Sequence, residues 1–505
     1  LTTYESFVHD AGNHRTVPVA QSFYTDVLTP VHMFHALKDE AVYMLESQEP
    51  ESPWSNFSFI GVDPMMDVVE TAGEFVISDL HYGSKTQASS FKEAFERVLL
   101  ELDVKIPEID IPFKGGGVGY ISYDAISDYE PVPVRTGSEK KLPNYHLLFC
   151  QTLLAYNHRT RKITILTFAR VDEEADRREV FDRSLQHIRH VREQLVGKSG
   201  LTDIMMPVDL YDTPPPKMES NYAKDQFKGD VCRVKEYIKE GDILQAVLSQ
   251  RFQTKTELEG FELYRVLRNV NPSPYMYYLK FDDVEVIGSS PERQLQVQNG
   301  RLEIHPIAGT RKRGETVEED ERIAEDLLSD DKEIAEHRML VDLARNDIGR
   351  VAEYGSVAVS DYMTIGRFSK VMHIISKVNG ELRQEVSPID AFISSFPAGT
   401  LSGAPKVRAM QILRELEPTA RNLYGGSILY LGFDGNMDSC ITIRTMTLMG
   451  SDLHIQSGAG VVADSDPEME YQETINKASA LAKAVHLAEL VFRGMPTSSK
   501  STGGR

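Results

Sequence analysis

Residues 330–347 read D-D-K-E-I-A-E-H-R-M-L-V-D-L-A-R-N-D, with one long helix at 332–346 in a chain otherwise rich in strands. Arg338, Asp342, Arg345 and Asn346 cluster on one face, while Ile334, Leu340, Val341, Leu343 and Ala344 share an apolar arc. Strand-like runs precede it at 243–254, 276–281 and 284–288, and follow it at 368–378, 427–433, 439–448 and 454–462. Other helices read at 222–240, 318–328, 405–415 and 467–490, with connections too long and irregular for regular βαβ winding. The class is therefore α+β, a large sandwich. Nearer the start, runs at 75–80, 118–123 and 163–168 lead into a charged amphipathic helix at 173–195. The consecutive Pro214, Pro215 and Pro216 forbid regular structure and mark residues 206–219 as an extended linker. The pattern divides the chain into residues 1–205, the linker, residues 220–490 and a disordered tail at 491–505.

Two Glu-x-x-Glu pairs break the amphipathic order. Glu333 and Glu336, with His337, fall in the apolar arc of the first helix. Glu470 and Glu473 lie in D-S-D-P-E-M-E-Y-Q-E-T-I-N-K-A, residues 464–478, a helix opened by Asp466 and Pro467. Its apolar arc carries Thr474, Ala478, Leu481 and Val485, yet Glu470 and Lys477 sit inside it and Glu473 on its edge. Side chains three residues apart on a helix point nearly the same way. Carboxylates facing a core are costly unless paired or metal-bound, and four converging carboxylates suit a hard cation such as Mg²⁺. With 76 acidic residues, a lone pair of this kind also arises on solvated faces; the recurrence is what points to a site.

The net charge of −21 argues against general affinity for nucleic acid or anionic membranes, so a small anionic substrate needs a local basic or metal-lined site. Cys150, Cys232 and Cys440 are dispersed, with no zinc spacing and no disulfide framework. No apolar run approaches the ~18 residues of a membrane span. The first residues, L-T-T-Y-E-S-F-V-H-D, lack the basic and apolar regions of a signal peptide, so a reducing cytoplasm is the expected setting.

Further candidates lie on strands and loops. His373 alternates with its neighbours onto the face of Val371 and Ile375 and is expected to be buried. The loop F-P-A-G-T-L-S-G-A-P-K, residues 396–406, can present Thr400 and backbone N–H groups to an anion. Gly458, Ala459 and Gly460 permit close backbone approach to a ligand at a strand end. Arg444 interrupts I-T-I-R-T-M, where a guanidinium can grip a carboxylate with two hydrogen bonds. Each has a plain structural alternative: a satisfied core histidine, a helix-entry turn, a bulge, an outward-facing arginine.

Taken in this order, with P-I-A-G-T at 306–310, these segments resemble the chorismate-utilising enzymes over residues 220–490. The resemblance implies a large multi-stranded antiparallel β-sandwich with flanking helices. It implies Mg²⁺ held by Glu336 and Glu473, supported by Glu333 and Glu470. It also implies chorismate held by Gly309, Thr310, Thr400, Tyr424, Arg444, Gly458, Ala459, Gly460 and Lys477. Water-adding members place a base lysine where this chain has Gln245, and a neutral amide cannot deprotonate water, so ammonia is the expected nucleophile. Aminodeoxychorismate synthases resemble P-I-K-G-T and use that lysine covalently; here the position is Ala308.

The implied reaction is formation of anthranilate and pyruvate, the first step of tryptophan biosynthesis. Glu292 is its general acid, and His373 assists the loss of pyruvate. The chain lacks the Cys-His-Glu apparatus of a glutaminase, so a glutamine amidotransferase subunit is the expected partner and ammonia source. Leu45, Glu46 and Ser47, with Asn271, Pro274, Tyr275 and Met276, resemble the tryptophan feedback site of this branch, shared between residues 1–205 and the region after the linker. Two alternatives stay open: an aminodeoxychorismate synthase lacking its lysine, and a tryptophan-sensing binding protein.

Overall fold

Two long strands, Phe57–Thr71 and Tyr145–Asn157, pair with each other and organise everything else. A computed structural model of the chain describes residues 2–49, 52–135, 142–197, 200–206, 215–216, 218–368 and 371–494. Their ladder shifts register between Pro64 and Met66, where proline cannot donate a hydrogen bond and Asp63 takes φ 56°. Beyond this bulge the outer edges of both strands change partners, so two sheets share one spine.

In the first sheet, Ala41–Glu46 pairs on one side of the spine and continues through Tyr275–Lys280, Glu285–Ser290, Thr445–Met449 and Asp452–Val461 to Gln245–Lys255. Lys162–Arg170 and Thr16–Tyr24 extend its other side. In the second, Gly116–Ile121 leads through Ser427–Gly432, Met437–Ile441, Arg293–Gln298 and Arg301–Ile304 to Val371–Glu381. Ile307–Lys312 and Ala358–Arg367 flank that last strand. All these ladders are antiparallel, as expected. Both sheets take strands from before and after the linker, so the linker marks no seam through the sandwich.

Strand alternation separates two cores. Tyr43, Phe59 and Tyr277 point into the core shared by the sheets, while Met44, Ile60 and Tyr278 point outward onto helices that include Gly260–Val270 and Pro467–Arg493. Burying one such aromatic or aliphatic side chain contributes about 1.5–3 kcal/mol.

The helix expected at 332–346 runs longer, Asp331–Gly349, capped by Asp330, whose carboxylate accepts from the backbone N–H groups of Lys332 and Glu333. Asp466 caps Pro467–Arg493 in the same way. Three expectations need correction or qualification. The strand expected at 439–448 is two strands in different sheets, divided at residues 442–444, because Arg444 takes φ 49° where the chain crosses over. Residues 491–493 are helical, and 495–505 of the expected tail lie outside the described residues. Of the linker, 207–214 and 217 also lie outside them, and Glu219 already pairs with Gln253.

Candidate catalytic cleft

Gly309 sets the first part of the site. It takes φ 68° in a register shift between Ala308 and Arg311, a bulge that turns its carbonyl toward the neighbouring strand. His373, 8 % exposed, donates from Nδ1 to that carbonyl at 2.8 Å, with the Thr310 hydroxyl 3.1 Å from the same nitrogen. Burial, aided by the charge of Arg444, lowers the His373 pKa against the help of this hydrogen bond. The ring is therefore neutral near pH 7, with Nε2 left as its basic atom. A Cβ on Gly309 would lie 3.2 Å from Glu333 Oε2, so this bulge backs directly onto the first Glu-x-x-Glu helix.

Glu292 belongs to a second group, linked to His373 by the nearby charge of Arg444. It keeps some exposure yet lies deep in protein, and burial pushes its carboxyl up to about 7 despite Thr400, Arg444 and Lys477 nearby. The Thr400 hydroxyl is close enough to favour the ionised carboxylate, but it is buried without a hydrogen bond of good geometry. Arg444 feels the Glu292 charge, and burial lowers its pKa; among the described residues its guanidinium has no hydrogen bond and no ion pair. A half-buried guanidinium without an ion pair among the described residues, near an orphaned hydroxyl, fits an anionic, oxygen-rich ligand.

The small-residue run forms a wall. Gly458, Ala459 and Gly460 pair with Ser249, Leu248 and Val247. A Cβ on Gly458 would lie 2.7 Å from the Tyr424 hydroxyl, and one on Gly460 would lie 2.7 Å from Gln245 Nε2. Gln245 also lines a cleft of about 370 Å³ with Asp342, Leu343, Asn346 and Gly399. Lys477 Nζ donates to the Gly458 carbonyl at 3.1 Å and pairs with Glu473 at 2.7 Å.

The carboxylate pairs are open to solvent rather than sunk in the core. Glu336, Glu473 and Lys477 are exposed, and Glu333 and Glu470 half-buried; only His337 of this set is fully buried. The core-facing arcs begin further along each helix, at Leu340 and Thr474. Even so, surrounding protein and then the Glu333 charge raise the Glu336 pKa, with Glu473 adding to it. Burial and the Glu473 charge likewise raise that of Glu470. Glu333 is partly neutralised by Arg311 at 3.3 Å. Among the described residues no three His, Cys, Asp or Glu side chains are gathered tightly enough to grip a metal ion unaided. The donor chemistry nevertheless fits a hard cation, since mutually repelling carboxylates from two helices gain most from a positive charge between them.

The model of the chorismate binding enzyme family matches residues 40–483. The chain belongs to this family. It is 50% identical over 492 residues to anthranilate synthase component 1 of Bacillus subtilis (strain 168), covering 96% of this chain and 95% of the relative. It is 48% identical to that of Geobacillus stearothermophilus, covering 96% and 97%. Among solved structures, anthranilate synthase component I from Streptococcus pneumoniae TIGR4 superposes with a TM-score of 0.74 at 35% identity, covering 91% of this chain and 98% of that one.

This member of the family has a second, mainly apolar pocket between the sheets. Leu45, Glu46, Ser47, Pro274, Tyr275 and Met276 line it, as the sequence led us to expect for one site. The strands carrying them pair directly, Leu45 opposite Tyr277 and Glu46 opposite Met276. Two members differ. Glu46 is held by Arg268 at 2.9 and 3.0 Å, by the Tyr264 hydroxyl at 2.6 Å and by Ser58 at 3.0 Å, so its carboxylate is already committed. Asn271 is not among the lining residues; its carbonyl accepts from the Ser289 hydroxyl instead. Sequence reasoning missed Glu49, Trp54, Phe57, Phe59, Tyr430 and Asp438, which are among its other lining residues. Only the lone tryptophan, in a chain with little else to distinguish it, offered a signal.

Proposed function

We propose that the chain is the chorismate-aminating component of an anthranilate synthase, a lyase that converts chorismate and ammonia to anthranilate, pyruvate and water. The observation that carries this reading is Arg444, without an ion pair among the described residues, close enough to feel the charge of Glu292, whose carboxyl is pushed up to about 7, and acting also on His373, which burial holds toward its neutral form. Such a site can hold a carboxylate, protonate a leaving hydroxyl and later accept a proton. The names of the relatives support the same assignment.

Ammonia attacks ring carbon C2, the ring double bonds shift, and the C4–O bond breaks. Protonated Glu292 delivers its proton to the departing hydroxyl, which leaves as water. The ammonium on C2 loses a proton, giving a neutral amine. His373 Nε2 then takes the C2 proton, the ring C3–O bond breaks with the electron pair leaving on oxygen, and the released enolpyruvate takes up a proton at its methylene carbon to give pyruvate as the ring becomes aromatic. Arg444 and Lys477 hold the carboxylates, Thr400 donates its free hydroxyl to the ligand, and Tyr424 with Gly458, Ala459 and Gly460 shapes the ring wall. Gln245, a neutral amide against Gly460, leaves ammonia rather than water as the competent nucleophile, and its cleft is the approach for ammonia.

Glu336 and Glu473 would hold Mg²⁺, with Glu333 and Glu470 supporting them. A bound Mg²⁺ supplies charge neutralisation for the chorismate carboxylate and electron withdrawal from the ring. A glutamine amidotransferase subunit supplies ammonia, and the pair works in the cytoplasm. Tryptophan occupies the apolar pocket, with Ser47 and the Pro274–Met276 backbone at its polar end, and weakens chorismate use. Equilibrium binding tests this assignment: Ser47→Phe should fill the pocket and lose tryptophan affinity, whereas equal affinity in both proteins would place the inhibitor elsewhere. The activity itself is tested by supplying the purified chain with ammonium salts or with glutamine. Anthranilate should form only from the former; glutamine-dependent synthesis by the pure chain would contradict the need for a partner.

A further inference from the structure

Residues 292–294 point three ways from one strand entrance. Glu292 faces the catalytic cleft. Arg293, 6 % exposed, reaches back toward the apolar pocket, where Nε donates to the Tyr275 hydroxyl at 2.6 Å and Nη2 to Glu49 at 3.3 Å, with Asp438 at 3.8 Å. Tyr275, Glu49 and Asp438 all line that pocket. Gln294 donates to the Ser395 carbonyl at 2.8 Å, at the start of the loop that carries Thr400. The other arm of Arg293 donates to Glu303 at 2.6 Å, and Glu303 accepts from His305 at 2.6 Å, immediately before the P-I-A-G-T strand of Gly309 and Thr310. The ladder also shifts register between Arg293 and Leu295, so this short segment is a bulge able to re-aim its side chains.

We propose that Arg293 is a positioning residue shared by the two sites: it backs Glu292 and transmits the state of the apolar pocket to it. The inference rests on the tryptophan reading of that pocket. A ligand that displaces Tyr275, Glu49 or Asp438 must move a guanidinium that is hydrogen-bonded on both arms, because a close-packed interior responds by discrete rearrangement rather than by local give. Moving Arg293 moves the adjacent Glu292 backbone and strains the Glu303–His305 arm leading to Gly309. The linkage is reciprocal, so chorismate at the cleft should weaken tryptophan binding by the same factor.

The test uses the full chain with ammonium as nitrogen source. Tryptophan affinity is measured by equilibrium dialysis, and coupling as the ratio of chorismate KM with and without saturating tryptophan, in wild type, Glu303→Gln and Arg293→Lys. Both substitutions preserve size, and Lys keeps the positive charge that the surrounding carboxylates require. Both variants should bind tryptophan within about threefold of wild type while coupling falls by about tenfold. Arg293→Lys should also displace the alkaline limb of kcat set by Glu292, a readout that loss of stability alone would not move. Unchanged coupling in both variants, with tryptophan bound, overturns the role of Arg293 alone. Failure of tryptophan to bind the wild type overturns the pocket reading and this inference with it.

Discussion

Glu292 and His373 can divide acid and base work because their surroundings push them in opposite senses. Burial raises Glu292 to about 7, so the proton-donating form dominates below that pH and is lost above it. Burial lowers His373, so its basic form persists below the usual histidine value. Free ammonia becomes more abundant as pH rises toward its pKa of about 9, which would mask a falling catalytic step. Rates divided by free ammonia concentration should therefore decline above about pH 7, and Glu292→Gln should flatten that decline while lowering kcat by about 10²–10⁴-fold. A retained decline in the variant would remove Glu292 as the acid. His373→Met is expected to accumulate an aminated, non-aromatic intermediate, detectable by chromatography; equal loss of chorismate consumption and anthranilate release would contradict its placement in the second step. At this scale the sequence exposed residue types but not their partners. Arg444 was legible as a carboxylate ligand, whereas its lack of an ion pair among the described residues depends on what the folded chain leaves beside it. The Arg293 network was illegible because Glu49, Tyr275 and Asp438 reach it from segments distant in sequence.

At the scale of elements, caps and periods were the reliable signals. Asp466 caps the second carboxylate helix where the sequence placed it, because capping is local chemistry. The side those carboxylates face was misjudged, since helical periodicity specifies an arc but not where the partner sheet ends. The strand expected at 439–448 failed for a related reason: a continuous alternating run cannot reveal that Arg444 turns left-handed and passes the chain between sheets. Gly309→Ala should be damaging twice over, through its φ of 68° and a Cβ 2.8 Å from Leu327 Cδ1, and should misdirect the carbonyl that orients His373. A large fall in kcat with a cooperative melting transition retained is the expected result. The two helices also carry the metal assignment. Chelator should abolish turnover and added Mg²⁺ restore it, while Glu336→Gln or Glu473→Gln should weaken Mg²⁺ binding to the folded chain in calorimetry; full activity in excess chelator would remove the cation from the account.

The whole molecule is a sandwich in which one spine of two bent strands joins sheets built from both sides of the linker. The class was legible from many short strands with irregular connections; the sharing of the spine was not, because register between distant strands has no local signature. Stability also has a buried polar component. Arg421, 4 % exposed, is held by Glu417 at 2.8 and 2.7 Å and by the carbonyls of Leu401 and Val247 at 2.6 Å each. Arg421→Met would strand Glu417 without its partner and should cost about 3–5 kcal/mol, measurable by denaturant unfolding. The central claim concerns chemistry, and one measurement meets it directly: purified chain, chorismate, Mg²⁺ and ammonium, with anthranilate followed by fluorescence and pyruvate by a coupled assay. The account predicts one pyruvate released for each anthranilate formed. An aminated product that retains its enolpyruvyl group, with no pyruvate released, would contradict it.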